Sequence, residues 1–561
     1  MSYKVLSYQD LKKIVWFIAD TIRDKGRGNS NDYMAITVGV LFLKRLVDMR
    51  AEFKQKFVTK GTLENSIFLL NNQNIDLALA NHQSKAPEFE VHNANLWTYR
   101  LEWKDIAEYQ DNPNKNNNSI NYLDNLGGNQ LVTNLDNKFS LLKEVMESFK
   151  HPIIHEIFNT FNFIPKVYNT SDRENVLDSH DFELIIEELD KYNFSLQYAS
   201  QDIFADVYMN LLDRFASDGG KKGGEFFTPT KVVRGAIKFL NMKFKERKII
   251  VSDLTAGACT FMIEFANVYK SLFNNYFEGN PQVKFNDYVD FVTGEKERVS
   301  KALGDGNMLL HGYSSNHKSF HANSITEYDT HLGAHCREQV DYLLANPPYG
   351  LNDYGYTQML ANKHLPRWNF GVPNKGEGEY AFVMTILDML NDEGKAVVVL
   401  PLGTLFKDIT STYREKIIDK DWLEGIVVLP SNMFLTTSIP VCLWVINKKK
   451  EIQDQNKIFI VNASNDFTKI GKVNEWNDKK SSNAYNNREE IKGYSGYIDL
   501  EKITKNKYNL SINRYISEEK QQQQINLVQL NKEINELMNL ISQDMNELGN
   551  VINQLIEIEK E

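Results

Sequence analysis

Cysteine is scarce: Cys259, Cys336 and Cys442 stand far apart in 561 residues, with no CxxC pair among them. That pattern excludes a disulfide framework and a structural zinc site, and it suits a reducing cytosol. Long apolar runs are also missing. Stretches such as "AVVVLP" (396–401) and "GIVVLP" (425–430) fall far short of the ~20 residues that a membrane-spanning helix requires. The opening "MSYKVLSYQDLKKIVWF" sets charges among its apolar residues, where an export signal carries an unbroken apolar block. Neither a GxGxxG nor a GxxxxGK[ST] loop occurs, so a translocating ATPase is excluded. Positive charge is not in excess either. The formal net charge is −10, which leaves contact with nucleic acid to local clusters such as "SDGGKKGG" (217–224) and "NKKK" (447–450), or to a partner.

What is present describes an ordinary globular chain, 42% hydrophobic and 25% charged, of a length that calls for two or three domains. From about residue 6 to 58, "LKKIVWFIADTIRDK" and "YMAITVGVLFLKRLVDMRAEF" repeat apolar residues at three and four, the spacing of a helical bundle. An asparagine-rich stretch (111–130) reads as a loop, and further helical segments follow. After about residue 195 the pattern changes. "RKIIVSDLTAG", "YVDFVTGEKE", "VDYLLANPPYG" and "GKAVVVLPLG" are short buried strands ending at turns, with helix-like sequence between them. Such alternation predicts an α/β fold built on a doubly wound, mostly parallel sheet, with its ligands at the carboxyl ends of the strands. Residues 423–450 read as two strands that close the sheet edge. In the tail, Leu527, Ile534, Ile541, Leu548 and Leu555 fall at heptad position a, and Leu530, Leu537, Val551 and Ile558 at d, with Asp544 the one break. This coiled-coil-like seam needs a cover, and a partner helix is favoured over internal packing. The expected domains are 1–165, helical; 166–516, catalytic; and 517–561, a docking tail.

"ANPPY" carries the chemistry. Pro347 and Pro348 stiffen the turn behind Asn346, because proline fixes its own backbone and restricts the residue before it. The result is a fixed pair of acceptors, the Asn346 side-chain oxygen and the Pro347 carbonyl, with the Tyr349 ring beside them. A planar amino group on an aromatic ring suits that arrangement, which catalyses by positioning and electrostatics rather than by a strong base. "VSDLTAGACTF" (251–261) is a strand, a small-residue loop and a helix start, and Glu295 ends the next strand, where an acidic residue binds ribose hydroxyls in such folds. Taken singly, Glu295 also reads as a surface charge, and the Thr228–Pro229 pair in "GGEFFTPTKVV" as a helix cap.

In order along the chain, "GEFFTP", "DLTAGACTF", "TGEKE", "ANSIT", "ANPPYG" and "RWNFGVPNKGEGEYAFV" resemble the motif series of the amino-group DNA methyltransferases of the gamma order. More specifically, they resemble the modification subunit of type I restriction-modification systems. "GVLFLKRLVDMR", "LPSNMFLTTSIPVCLWVINK" and "YNLSINRYI" extend the resemblance to most of the chain. It implies transfer of a methyl group from S-adenosylmethionine to the N6 amine of an adenine flipped out of double-stranded DNA. It further implies that Phe227, Thr228 and Pro229 lie against the methionine moiety and that Asp253, Thr255 and Gly257 line the cofactor cleft. Glu295 would hold the ribose and Asn323 the cofactor's adenine. Asn346, Pro347, Pro348 and Tyr349 would grip the target base, with Phe370 on its other face and Trp368 the nearby rival. The implied partners are a specificity subunit reached through the C-terminal helix, a motor-nuclease subunit, and a second copy in the complex. The sequence departs from the family at Leu254 and Cys259, where proline and glycine are common, and cysteine adopts positive φ less readily than glycine. A non-catalytic scaffold subunit, or a methyltransferase acting on RNA or protein glutamine, are the alternative readings.

Overall fold

The structure, a computed structural model, describes residues 3–25, 30–60, 102–107, 138–149, 152–161, 177, 179–195, 197–199, 228–280, 282–434, 439–470 and 473–516, and in the tail 531–532, 534–545 and 548. Helices Tyr8–Lys25, Ser30–Lys60, Trp103–Ala107, Lys138–Ser148, Pro152–Phe161 and Ser179–Asp190 form the helical part. In the first of them, Leu11, Ile14, Val15, Ile18 and Ile22 are buried at the three-and-four spacing expected. Helix Ser30–Lys60 also buries Lys44, Arg45, Asp48, Arg50 and Glu52, which buried charges do only when paired. Here Arg45, Asp48 and Glu52 clamp Phe194, Gln197 and Ala199. Arg45 Nη1 donates to the Ala199 carbonyl at 2.7 Å, Asp48 accepts the Phe194 N–H at 2.6 Å and pairs with Lys44 at 2.8 Å, and Glu52 accepts the Gln197 N–H at 3.1 Å. Helix Ser179–Asp190, Phe194 and Ala199 thus share the helical core. That core runs past the boundary expected at residue 165, because the clamp holds these residues to it.

The strands are β1 (Ile249–Asp253), β2 (Val289–Glu295), β3 (His317–His321), β4 (Val340–Ala345), β5 (Leu390–Pro401), β6 (Leu423–Val428), β7 (Val441–Asn447), β8 (Lys457–Asn462), β9 (Phe467–Ile470), β10 (Val473–Trp476) and β11 (Ser495–Asp499). Nine of them form one sheet in the order β11-β8-β6-β7-β5-β4-β1-β2-β3, and β9 and β10 make a separate hairpin. The pairs from β5 through β4, β1 and β2 to β3 are parallel, whereas β7 runs antiparallel to both β5 and β6. Strand β4 is buried along its whole length. Its residues alternate between the two faces, Tyr342 and Leu344 in one core and Leu343 and Ala345 in the other, so the sheet is covered on both sides, as a near-continuous apolar strand demands. Residues 423–450 do form two strands, but they lie inside the sheet rather than at its edge, since β8 and β11 add on beyond β6. Those two strands, in "KIFIVN" and "SGYID", had no counterpart in the sequence reading.

Among the described residues no helix is long and apolar enough to cross a membrane. In the tail, residues 534–545 are helical, and Ile534 (46%), Leu537 (59%), Ile541 (59%) and Leu548 (59%) stand exposed. The other seam positions, Leu527, Leu530, Val551, Leu555 and Ile558, lie outside the described residues.

Candidate active site

The chain leaves β1 for β2 and β3 on one side and returns to β4 on the other, so a topological switch point opens between β1 and β4, where open α/β sheets bind ligands. Asp253 ends β1 and Glu295 ends β2. Asn323 follows β3, fastened by the Ala322 N–H to the Glu295 carbonyl at 3.1 Å. Asn346 follows β4 directly. The structure therefore brings together, at one edge of the sheet, four residues spread over about a hundred positions.

On the β1–β2 side, the Glu295 carboxylate accepts the Gly257 N–H at 2.9 Å and the Glu297 N–H at 2.8 Å. Asp253 accepts the Thr255 N–H at 2.8 Å and its hydroxyl at 3.3 Å. Burial pushes the Asp253 carboxyl up to about 8 against the lowering by Thr255, and the neighbouring Glu295 charge adds to the rise. Burial raises Glu295 as well. Two carboxyl groups held together out of water favour a ligand that brings positive charge and hydroxyl donors. The Asn323 side-chain oxygen accepts the N–H groups of Ile325 at 3.0 Å and Thr326 at 3.2 Å, which leaves its NH2 as the group to offer. Phe227 lies outside the described residues.

The raised Asp253 has a consequence for stability. Between its ordinary 3.8 and about 8 the folded protein keeps a proton that the unfolded chain has lost, so stability falls as pH rises through that window and levels off above it. Asparagine carries no such penalty. Asp253→Asn is expected to raise the melting temperature by an amount that grows from pH 5 to pH 8; thermal unfolding across that range checks it, and a gain independent of pH would contradict it.

The loop between β1 and helix Thr260–Tyr276 is braced from behind by helix Arg298–Leu310. Asn307 donates to the Ala258 carbonyl at 2.9 Å. A Cβ on Gly304 would stand 2.7 Å from the Gly257 carbonyl oxygen and 2.8 Å from the Cys259 sulfur, so this helix approaches as closely as it does because Gly304 lacks one. On its far side Lys301 joins Asp305, at 2.7 Å, to Glu156 of the helical part, at 2.9 Å, and Ala258, Ala302 and Leu303 belong to the helical core. Gly304→Ala returns ~1 kcal/mol in helix preference but overpacks against backbone at a cost of ~1–3 kcal/mol. A net loss of stability is expected in thermal denaturation, and a variant more stable than the wild type would contradict the close approach. Cys259 itself takes φ +59 at the start of helix Thr260–Tyr276, the left-handed conformation that the sequence comparison with glycine pointed to. Its thiol is buried and raised well above its ordinary range by that burial. Leu254 is buried in the core.

On the β4 side, Asn346 Nδ2 donates to the Thr228 hydroxyl at 3.0 Å, and the Tyr349 hydroxyl donates to Asn346 Oδ1. Thr228 is thus drawn to Asn346 rather than capping the helix behind it: Pro229 stands at the N-cap of helix Thr230–Lys238, with no side-chain cap bond. Pro347 is buried and Pro348 exposed, with Tyr349 half-buried between the turn and the core. Gly350 donates its N–H to Glu379 at 2.8 Å, a contact that only the quoted "GEGEYAFV" hinted at.

Phe370 does not join this group. Its ring lies 6.0 Å from that of Trp422 and its carbonyl accepts from Lys416 at 3.0 Å. Trp422 immediately precedes β6, so it marks the amino edge of the sheet, opposite Asn346. In the same segment Arg367 donates to the Ile325 carbonyl at 2.8 Å and pairs with Asp329 at 3.0 Å. The rival Trp368 is 3% exposed in the core and offers no free face to a base.

Residues 199–524 match the N-6 DNA methylase family. The type I restriction enzyme MjaVII methylase subunit of Methanocaldococcus jannaschii is 26% identical over 96% of this chain and 82% of its own length. The type I restriction enzyme MpnII methylase subunit of Mycoplasma pneumoniae is also 26% identical, over 60% of this chain and 61% of its own. Among solved structures, the type I restriction-modification system methyltransferase subunit from Streptococcus thermophilus superposes with a TM-score of 0.67 at 21% identity, covering 91% of this chain and 100% of that one; at that identity the likeness speaks for the fold. The matched span opens at Ala199 and closes beyond β11. It takes in the whole sheet and the site at its carboxyl edge, and the chain belongs to the N-6 DNA methylase family.

Proposed function

We propose that this chain is the methyltransferase subunit of a type I restriction-modification complex and methylates the exocyclic N6 of adenine in duplex DNA. The observation that carries the reading is the placement of the NPPY turn at the end of β4, beside the buried carboxyl pair of β1 and β2. The carboxyl pair fits S-adenosylmethionine, a ligand with cationic groups and ribose hydroxyls. Asp253, Thr255, Gly257 and Glu295 would hold it, with Pro229 at the rim and the Asn323 NH2 free for its adenine. When bound, it supplies an electrophilic methyl group. Asn346 Oδ1 and the Pro347 carbonyl accept the two hydrogens of the target amine, which localises the nitrogen lone pair, and Tyr349 stacks on the flipped base. Its hydroxyl must leave Asn346 Oδ1 as the base arrives.

Within the complex, the helical part to about residue 199 is a scaffold, residues 200–516 catalyse, and the tail from 517 docks on a specificity subunit. Double-stranded DNA, a motor-nuclease subunit and a second copy of this chain complete the assembly, in the cytoplasm. The test is to purify the chain with its specificity subunit and supply methyl-labelled S-adenosylmethionine with DNA, RNA or protein. Label in DNA alone supports the reading. Label in RNA or in protein glutamine, or no transfer to any of them, favours the alternatives.

A further inference from the structure

The NPPYG turn has an unusual shortage of handles. Pro347 and Pro348 carry no N–H, so the turn has few donors by which the rest of the protein can hold it. The two ends are nevertheless held. At one end the Thr228 hydroxyl accepts from Asn346 Nδ2 at 3.0 Å. At the other, Gly350, at φ +64 in the left-handed region, gives its N–H to Glu379 Oε1 at 2.8 Å. Glu379 sits in the first turn of helix Gly378–Met389 and is 4% exposed. Among the described residues its second oxygen has no hydrogen-bond partner, and its first goes to this turn. Tyr349, between the two grips, has its hydroxyl tied within the turn, to Asn346 Oδ1.

A primary amide has nearly the same shape when its oxygen and nitrogen ends are exchanged, but only the oxygen end accepts hydrogens from an amine. In the structure the Thr228 hydroxyl accepts from the nitrogen end, which leaves the oxygen end for the base. We propose that Thr228 and Glu379 are positioning residues for methyl transfer, holding the two ends of the turn, with Thr228 anchoring the Asn346 amide while Tyr349 swings out to take the base. Thr228 thereby acts on the target side of the site and not chiefly on the cofactor. Residues 118 and 29 positions away in sequence supply what the prolines cannot.

This inference rests on the methyl-transfer reading, and the assay separates the two. In the purified complex with the specificity subunit, Thr228→Val and Glu379→Leu are each expected to lower kcat by about 10- to 100-fold, the scale on which misplacement of a reacting group is felt. Affinity for S-adenosylmethionine, measured directly by calorimetry, is expected to stay within about threefold. Thr228→Ser and Glu379→Gln, which keep an acceptor at the same atom, are expected to restore most of the rate. Weakened cofactor binding in Thr228→Val with kcat preserved would overturn the role of Thr228. A Glu379→Gln variant as slow as Glu379→Leu would overturn the hydrogen-bond role of Glu379. A wild-type complex that transfers no methyl group would instead remove the functional reading beneath both.

Discussion

Asn346→Ala is expected to abolish methyl transfer to DNA while leaving cofactor binding within about threefold of the wild type. The side chain does two things at one place: it accepts from the target amine, and through Nδ2 it is locked to Thr228 at 3.0 Å. Removing a single preorganised hydrogen-bonding group from such a site costs about 10²–10³ in rate. Here the anchor to Thr228 is lost as well, so a fall of at least ~10³-fold in kcat is expected. The cofactor side is spared because Asp253, Thr255, Gly257 and Glu295 hold one another through contacts on β1 and β2 that do not involve Asn346. Single-turnover transfer of labelled methyl, with binding measured separately, checks both halves. Wild-type transfer by the variant, or loss of cofactor binding in parallel with rate, would count against the mechanism.

The second large effect concerns assembly. Ending the chain at residue 517 is expected to prevent association with the specificity subunit and leave the fold of the remainder intact. Ile534, Leu537, Leu540, Ile541, Met545 and Leu548 are each 46% exposed or more. Burying such side chains is worth roughly 1.5–3 kcal/mol apiece, before the cost of association. Six of them are enough to decide whether a complex forms. The same exposure means that the sheet gives up little when they are removed. Co-elution on size exclusion reads association, and thermal unfolding reads the fold. A truncated chain that still co-elutes with its partner would place the docking surface elsewhere.

The sequence was most legible where backbone chemistry is local. Two prolines behind an apolar strand define the "ANPPY" turn whatever surrounds it, and alternating strand and helix patterns define the parallel half of the sheet. At Cys259 the glycine usual in the resembling family pointed to positive φ, and φ +59 is found there. Legibility failed where distant contacts decide. Phe370 lies in a motif segment, yet its ring meets Trp422 and its carbonyl meets Lys416, contacts that no local pattern reveals. The helical core runs past residue 165 because Phe194, Gln197 and Ala199 are gripped by buried charges of helix Ser30–Lys60, across 145 to 154 positions of sequence. Strands β8 and β11 escaped notice because β8 pairs with β6 and β11 with β8 across gaps of chain, with loops and helix between them. The bond from Thr228 to Asn346 spans 118 positions, and the cap that Thr228–Pro229 suggested is not made.

The central claim is that Asn346, Pro347 and Tyr349 present acceptors and a stacking face to the amino group of adenine. Its most direct measurement is nucleoside mass spectrometry of DNA from a methylation-deficient host expressing this chain with its specificity subunit, set beside the same host expressing Asn346→Ala. The result expected is N6-methyldeoxyadenosine with the wild type and none with the variant. N4-methyldeoxycytidine in its place, or equal N6-methyldeoxyadenosine from both, would contradict it.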